Sequence, residues 1–300
     1  MKIAIFTDET GWHTRQLQAA LRARGAEGRC IDLADCRIDT TAAWHGLVIP
    51  GFGRELPDAA IVRGIAGGSF EQVTVRLGVL HALRELGVAV YNDARAIERS
   101  VDKAMTSLLL HAAGIATPPT WAMESSAHAQ RLVTRESAAG RALVLKPLFG
   151  SQGKGLRRIG WVDGAHVPLP DLKDFGHLAY LQRYVASPGH DWRVLVVGGR
   201  AVAAMRRVSV HWIHNVKQGA RVEPAVLTPE LAELAERAAA ALQMDYAGID
   251  LLPTPEGPQV LEVNGVAAWH GLQRVTAFSI AEALVADLLD RKRLRSARQA

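Results

Sequence analysis

Apolar residues in this chain recur with two rhythms, a period near two and a period near 3.6, and the two alternate along its first third. Lys2–Phe6 reads as a buried strand. A Thr-Asp-Glu-Thr-Gly loop and a helix with Leu17, Ala20, Leu21 and Ala23 on one face follow, stopped by Gly25. Residues 47–49 form a short apolar strand closed by Pro50 and Gly51. Residues 59–64 form another, with Arg63 at its carboxyl end. A helix over 73–86 and a strand over 88–91 complete a βαβ rhythm, which predicts a mostly parallel sheet. Ligands of such sheets sit beyond the carboxyl ends of the strands, so Arg63 is placed either to meet an anion or simply to close a strand.

Beyond this unit the pattern changes. A helix over 104–113, with Leu108, Leu109 and Ala112 as apolar positions, ends at Gly114, and Thr117-Pro118-Pro119-Thr120 turns the chain. Strands over 142–147 and 156–162 flank the glycine-rich 149–155, and 179–185 is a further strand. Residues 192–197 and 200–205 form a hairpin around Gly198-Gly199. Thr228-Pro229-Glu230 caps a helix carrying Leu231, Leu234, Ala235, Ala238 and Leu242, and a last helix covers 279–289.

Between those helices, 247–264 reads as two strands joined by a turn rich in Pro and Gly. Alternation along the strands puts Asp250 on the face opposite to Ile249 and Leu251, and gives Glu262 and Asn264 a common face. Two carboxylates and an amide oxygen converging on one side of a sheet suit Mg²⁺ or Mn²⁺. From the hairpin alone, a metal site and a solvated strand face both stay open.

Composition narrows the class. The chain has 300 residues, 49% hydrophobic and 22% charged, which is globular and large enough for two or three compact units. A net charge of +5, with Arg291, Lys292, Arg293, Arg295 and Arg298 clustered at the end, fits an anionic or phosphate-bearing substrate. Nucleic acid is not expected, because no aromatic-rich basic stripe accompanies the charge. Cys30 and Cys36 build neither a disulfide scaffold nor a CxxC metal pair. No apolar run is long enough for a membrane span, and Met1-Lys2 leads directly into a strand; a cytoplasmic protein is expected.

The common nucleotide signatures are absent. Gly150-Ser151-Gln152-Gly153-Lys154-Gly155 is not a Walker A loop, and no GxGxxG follows the first strand; GxSxG and HExxH are missing too. The loop nonetheless frees backbone N–H groups for phosphate oxygens, and Lys146 stands just before it. An ordinary glycine-rich turn would look the same.

In combination these pieces resemble the ATP-grasp superfamily, and closely its RimK-like α-L-glutamate ligase branch. The co-linear set is Asp102-Lys103, Leu143-Val144-Leu145-Lys146 with Gly150-Ser151-Gln152-Gly153, Leu181 to Val185, and His190-Asp191-Trp192-Arg193. It continues with Ala201 to Arg207, Trp212 to Asn215, Ala247-Gly248-Ile249-Asp250 and Leu261-Glu262-Val263-Asn264. The resemblance implies an α/β (α+β) ATP-grasp fold. Residues 1–98 would form the N-terminal α/β domain, 99–186 a lid subdomain, 187–290 a C-terminal subdomain and 291–300 a basic tail. ATP would lie between two sheets under the glycine loop (Gly150, Ser151, Gln152, Gly153), its phosphates on Lys103 and Lys146. Its adenine would rest on the backbone of Gln182, Arg183, Tyr184 and Val185, and its ribose on Asp191. Asp250, Glu262 and Asn264 would hold two Mg²⁺ (or Mn²⁺) ions, and Arg193, Arg207 and Asn215 would face the transferring phosphate. Asp250→Asn or Glu262→Gln should then abolish turnover with the fold intact.

Departures from the family pattern cluster away from that apparatus. Arg183 stands where the family usually has Glu in the hinge strand. Ile213-His214-Asn215 replaces Arg-Ser-Asn, so that His214 stands in for a cation or reads a different acceptor. Gly265-Val266-Ala267-Ala268 replaces Ala-Ser-Pro-Gly. The expected reaction is ATP-dependent amide formation through an acyl phosphate. It would add L-glutamate or a similar amino acid to a carboxylate of a pterin-, methanopterin- or folate-like cofactor, or of a peptide. The alternatives are a peptide or D-alanine-type ligase and a non-catalytic ATP-binding regulator. A homo-oligomer is an expectation only.

Overall fold

The structure is a computed structural model and describes residues 1–150 and 153–299. Strands β1 (Lys2–Phe6), β2 (Glu27–Ile31), β5 (Ala59–Val62) and β6 (Ala89–Tyr91) form a sheet in the order β2-β1-β5-β6, parallel throughout. Helices α1 (Trp12–Ala23) and α2 (Phe70–Glu85) make the crossovers. Ile3 and Ile5 point to one apolar layer and Ala4 and Phe6 to the other, the period-two alternation of a strand buried on both faces. The parallel sheet expected from the βαβ rhythm is present. The strand expected over 47–49 is β4 (Leu47–Val48), but it pairs antiparallel with β3 (Arg37–Ile38) in a separate two-stranded ribbon.

Helices α3 (Ala94–Val101) and α4 (Lys103–Ala112) lead to an antiparallel sheet ordered β10-β9-β8-β11-β7. Its strands are β7 (Thr120–Met123), β8 (Ala142–Lys146), β9 (Arg157–Val162), β10 (Ala165–Val167) and β11 (Ala179–Arg183), with α5 (Ser126–Ala138) packed on it. A second antiparallel sheet, ordered β14-β13-β12-β15-β16, contains β12 (His190–Val197), β13 (Arg200–Val208), β14 (Arg221–Pro224), β15 (Tyr246–Leu252) and β16 (Gln259–Asn264). Helix α6 (Pro229–Ala241) starts on a Thr228 cap with Pro229 in its first turn, as its sequence predicts, and lays Leu231, Ala235 and Ala238 on this sheet.

After β16 come the single-turn α7 (His270–Gln273) and α8 (Ile280–Gln299). The latter runs ten residues past the expected helix end at 289, so residues 291–299 continue the helix rather than start a separate tail. It also crosses the expected domain plan. Ile280, Leu284, Val285 and Leu288 pack with Ile3, Leu17 and Tyr91, so the end of the chain completes the core of the beginning. Helix α4 likewise shares the core of the second antiparallel sheet through Leu110, although the sequence grouped it with the lid.

Candidate active site

The sequence pattern put Asp250, Glu262 and Asn264 on one face, and the register explains how. Asp250 lies directly across from Glu262, and Gly248 from Asn264. The register then slips, with Leu251 opposite Val260, so Leu261 is an extra residue in β16, a bulge of the kind that re-aims side chains at active sites. Ile249, Leu251, Val260 and Val263 are fully buried on the other face. Asp250, Leu261, Glu262 and Asn264 border a cavity of about 520 Å³ between the two antiparallel sheets.

One wall of this cavity is an arginine–aspartate network. Strand register sets Arg193 opposite Asp250 and Asp191 opposite Arg207. Arg193 donates from Nε and Nη2 to the two Asp250 oxygens, both at 2.7 Å. Arg207 donates to Asp191 at 2.7 and 2.5 Å and stands 3.0 Å from Asp250 Oδ2. Burial raises the pKa of both carboxyls, but the outcomes differ. Asp250, held by two guanidiniums, stays below the ordinary carboxylate range, whereas Asp191, with one guanidinium and the Asp250 charge beside it, is pushed up to about 6. Arg207 is buried too, yet the two carboxylates hold its proton more firmly than usual. This arrangement departs from two expectations. Asp191 does not offer a free carboxylate to a ribose, because an arginine this buried has to be paired. Arg193 and Arg207 likewise spend their forks on aspartates. His214 is buried beside them, Nδ1 4.0 Å from Asp191 Oδ2, and burial followed by the Arg207 charge lowers its pKa, so it is no replacement cation. Asn215 caps a short 3₁₀ turn, its side chain accepting from Lys217 N.

The opposite wall is built from lysines and is loosely satisfied. Asp102 caps α4 by accepting from Ala104 N and Met105 N, which sets Lys103 at the helix start. Lys103 Nζ donates to the carbonyls of Leu148 and Gly150, tethering the glycine loop. Lys146, at the end of β8, donates to Gln182 Oε1 at 2.6 Å. Burial lowers both lysine pKa values. Lys146 falls to about 8, as the neighbouring Lys103 adds to the effect and Glu262 opposes it. Glu262 accepts no hydrogen bond among the described residues, and its charge is felt by both lysines. Gly153 sits at φ +71°, and a Cβ there would come within 2.8 Å of Ile213, so the loop rests on the 213–215 segment only because that residue is glycine. Ser151 and Gln152 lie outside the described residues.

At the hinge, Arg183 N donates to Pro119 O and Tyr184 N to Ala142 O, so these amides are not available to an adenine. Among the described residues, Val185 N has no such partner. The Arg183 guanidinium donates twice to Glu136 Oε2, a buried carboxylate of α5, which explains why an arginine is tolerated there. Gln182, Tyr184 and Val185 all line the cavity, as do Gly150 and Gly153 of the loop.

Oxygen donors for a hard cation are present. Asn264 Nδ2 is tied to Gly248 O at 3.2 Å, which leaves Oδ1 available, and Glu262 has no hydrogen bond among the described residues. Among the described residues no cluster of three His, Cys, Asp or Glu side chains is poised to hold a metal. The set is completed by an amide, and Asp250 would have to loosen its hold on arginine to join. The residues therefore fit Mg²⁺ or Mn²⁺ better than a softer ion.

Several residues of the site went unread in the sequence. Asn92, fully buried after β6, donates to the carbonyls of Tyr246 and Gly265 and accepts from Asp245 N and Tyr246 N. It locks the first domain to both ends of the β15–β16 hairpin. Arg63 follows the carboxyl end of β5, where the sequence leaves open an anion contact or a simple strand closure. It donates to Tyr246 Oη and Ala267 O and lies 4.4 Å over the Trp269 ring, holding the segment after β16. These contacts join residues far apart in the chain, and no local pattern announces them.

No helix among the described residues is long and apolar enough to cross a membrane. Residues 1–97 match the family model of a RimK PreATP-grasp domain and residues 100–288 that of a RimK-like ATP-grasp domain. The chain is 32% identical to a tetrahydromethanopterin:alpha-L-glutamate ligase of Methanosarcina acetivorans, over 90% of this chain and 93% of that protein. It is 30% identical to a probable alpha-L-glutamate ligase of Maridesulfovibrio salexigens, over 95% and 94%. Among solved structures, the ATP-grasp ligase PsnB, in a complex with a variant of its minimal precursor, Mg and ADP, superposes with a TM-score of 0.72. That match has 21% identity and covers 96% of this chain and 98% of that one. The macrocyclase MdnC from Microcystis aeruginosa, bound to the precursor peptide MdnA, superposes at 0.69 with 16% identity, over 97% and 100%.

Proposed function

The chain belongs to the RimK-like branch of the ATP-grasp ligases, and from that premise we propose that it adds L-glutamate, or a similar amino acid, to a carboxylate of a pterin- or folate-like cofactor. The enzyme is an ADP-forming carboxylate–amine ligase. A substrate carboxylate attacks the γ-phosphorus of ATP, ADP leaves, and the amine then displaces phosphate from the acyl phosphate. Such chemistry needs charge neutralised and oxygens aligned more than it needs a nucleophile from the protein. Lys103 and Lys146 offer charge to the phosphates, and the Lys103 tether holds the glycine loop where it can keep water from the acyl phosphate. Arg193 and Arg207, fixed in place by Asp250 and Asp191, form a prearranged, charge-matched wall that would hold the site's shape around the transferring phosphate. Glu262, Asn264 and Asp250 would hold Mg²⁺, two ions in this reading, which would supply charge neutralisation at the phosphates.

The observation that carries the ligase chemistry is Glu262. It is a carboxylate without a hydrogen bond among the described residues, across from Asp250 and close enough to Lys103 and Lys146 to act on their charges. The acceptor proposed here is supported by 32% identity along nearly the whole chain to a ligase that glutamylates tetrahydromethanopterin. The test is mass spectrometry after incubation with ATP, Mg²⁺, labelled L-glutamate and tetrahydromethanopterin or a small-molecule extract. A product heavier by one glutamyl residue, with ADP and phosphate released in step, is expected. AMP and pyrophosphate as products would overturn the chemistry, and label found only in peptides would overturn the acceptor.

A further inference from the structure

The first domain contributes His13, on the first turn of α1, to the wall of the cavity, which also includes Ala267, Ala268 and His270 from the segment after β16. The two pieces are packed together. The His13 and Trp269 rings are 4.6 Å apart edge to face, and Trp12 and His270 are 4.6 Å apart. His13 Nε2 receives the backbone N–H of Trp269 at 3.1 Å. A backbone amide can only donate, so Nε2 must be unprotonated and the single ring proton sits on Nδ1. Nδ1 has no hydrogen-bond partner among the described residues. The ring is also kept neutral from outside, its pKa lowered to about 4 by burial and then by the charges of Arg63 and His270. The same end of α1 has Gly11 as its cap and therefore no side-chain acceptor, so its first amides keep their partial positive charge.

A neutral donor, fixed in one tautomer and left without a partner on a cavity wall, is a recognition element for an oxygen. We infer that His13 Nδ1–H binds a substrate carboxylate, either that of the acceptor or that of the incoming amino acid. This rests on the ligase reading above, which brings both carboxylates to this cavity, while the lysines serve the phosphates. The segment after β16 then acts in specificity by positioning His13 through the Trp269 amide.

Two substitutions separate the two nitrogens. His13→Gln keeps an acceptor for Trp269 N–H and removes the Nδ1 donor, whereas His13→Asn keeps a donor near Nδ1 and gives up the Trp269 bond. Steady-state ADP release is measured with tetrahydromethanopterin and L-glutamate, each varied in turn. Loss of a hydrogen bond to a charged group is expected to raise one KM about tenfold or more in His13→Gln, with a much smaller effect on kcat and an unchanged melting temperature. His13→Asn should keep the KM closer to wild type and melt lower. The substrate whose KM moves identifies the carboxylate. Unchanged KM values for both substrates in His13→Gln would overturn the inference and leave His13 a clamp on Trp269. If wild type releases no ADP with these substrates, the acceptor reading is what fails. The ¹⁵N resonances of the His13 ring, with AMPPNP and L-glutamate added, then decide. A protonated Nδ1 that shifts on adding glutamate, or on then adding a small-molecule extract that holds the acceptor, supports the role; a protonated Nε2, or an Nδ1 moved by neither addition, overturns it.

Discussion

The two charged walls of the cavity contain similar groups and satisfy them differently. On one, Arg193, Arg207, Asp191 and Asp250 are nearly out of solvent, and their forks and carboxylates are matched to one another. On the other, Lys103 and Lys146 bond only to carbonyl or amide oxygens, and Glu262 bonds to nothing among the described residues. Matched charges are part of the fold, and removing one strands another in low dielectric. Unmatched charges cost stability and persist where a ligand completes them. The first wall is thus a rigid template, and the second is the side that the proposed function gives to nucleotide and metal.

The sharpest way to break this contrast is to cut the template. Arg207→Met leaves Asp191 and Asp250 without their shared guanidinium, so unfolding free energy in urea should drop by about 3–5 kcal/mol. A loss below about 1 kcal/mol would mean the network is no template. Asp250→Asn belongs to the same class. The sequence suggested that it would silence turnover with the fold intact, but it deprives Arg193 and Arg207 of a partner, so both activity and stability should fall.

Glu262→Gln is the converse. With no hydrogen bond to lose among the described residues, stability should stay within roughly 0.5 kcal/mol, as for substitutions away from structural features. ADP release should fall by about 10² or more, because a carboxylate facing the phosphates and metal is gone. Equal melting curves with retained turnover would remove Glu262 from the metal site.

How far these walls were legible in the sequence follows from the range of the contacts. Period-two alternation is local, so the common face of Glu262 and Asn264, with Asp250 joining it through the hairpin, could be read directly, as could the Thr228 cap and the parallel βαβ unit. The Asp191–Arg207 pairing depends on how β12 and β13 align, which residue types alone did not fix. The ribose contact for Asp191 is what the family resemblance implies, and the pairing with Arg207 stands beyond what either reading could show. Asn92, Arg63 and His13 act on partners in the last fifth of the chain, and α8 returns to the first sheet. An asparagine after a strand or a histidine in a helix carries no sign of a distant backbone partner.

A smaller effect is expected at Glu136, which is matched like the template but lies beside the hinge. Burial works to raise its pKa, and Arg183, helped by Arg135 and Arg141, more than offsets this and lowers it. A carboxyl with a depressed folded pKa stabilises the fold above its unfolded pKa, and the gain is lost as pH falls through the folded value. Wild type should therefore melt above Glu136→Gln at pH 7, with the gap closing below about pH 4. A gap that persists at pH 3 would show that the carboxylate charge is not what Arg183 needs.

The smallest expected effect lies at the corner between the walls and the first domain. His13 has a folded pKa of about 4, below the roughly 6.5 of an unfolded histidine. Between those values the unfolded chain binds a proton that the native ring refuses, so stability contributed at neutral pH drains away as pH falls from about 6.5 toward 4. His190 and His214, also lowered, act with the same sign, so acid sensitivity as a whole does not isolate His13. The difference between wild type and His13→Gln does, because glutamine keeps the Trp269 bond and does not titrate. The two melting temperatures should agree above about pH 7.5 and separate as pH falls from about 6.5 toward 4, with wild type losing more on acidification. Parallel slopes would mean that His13 takes up its proton in the native state, and a ring that does so cannot be accepting the Trp269 amide.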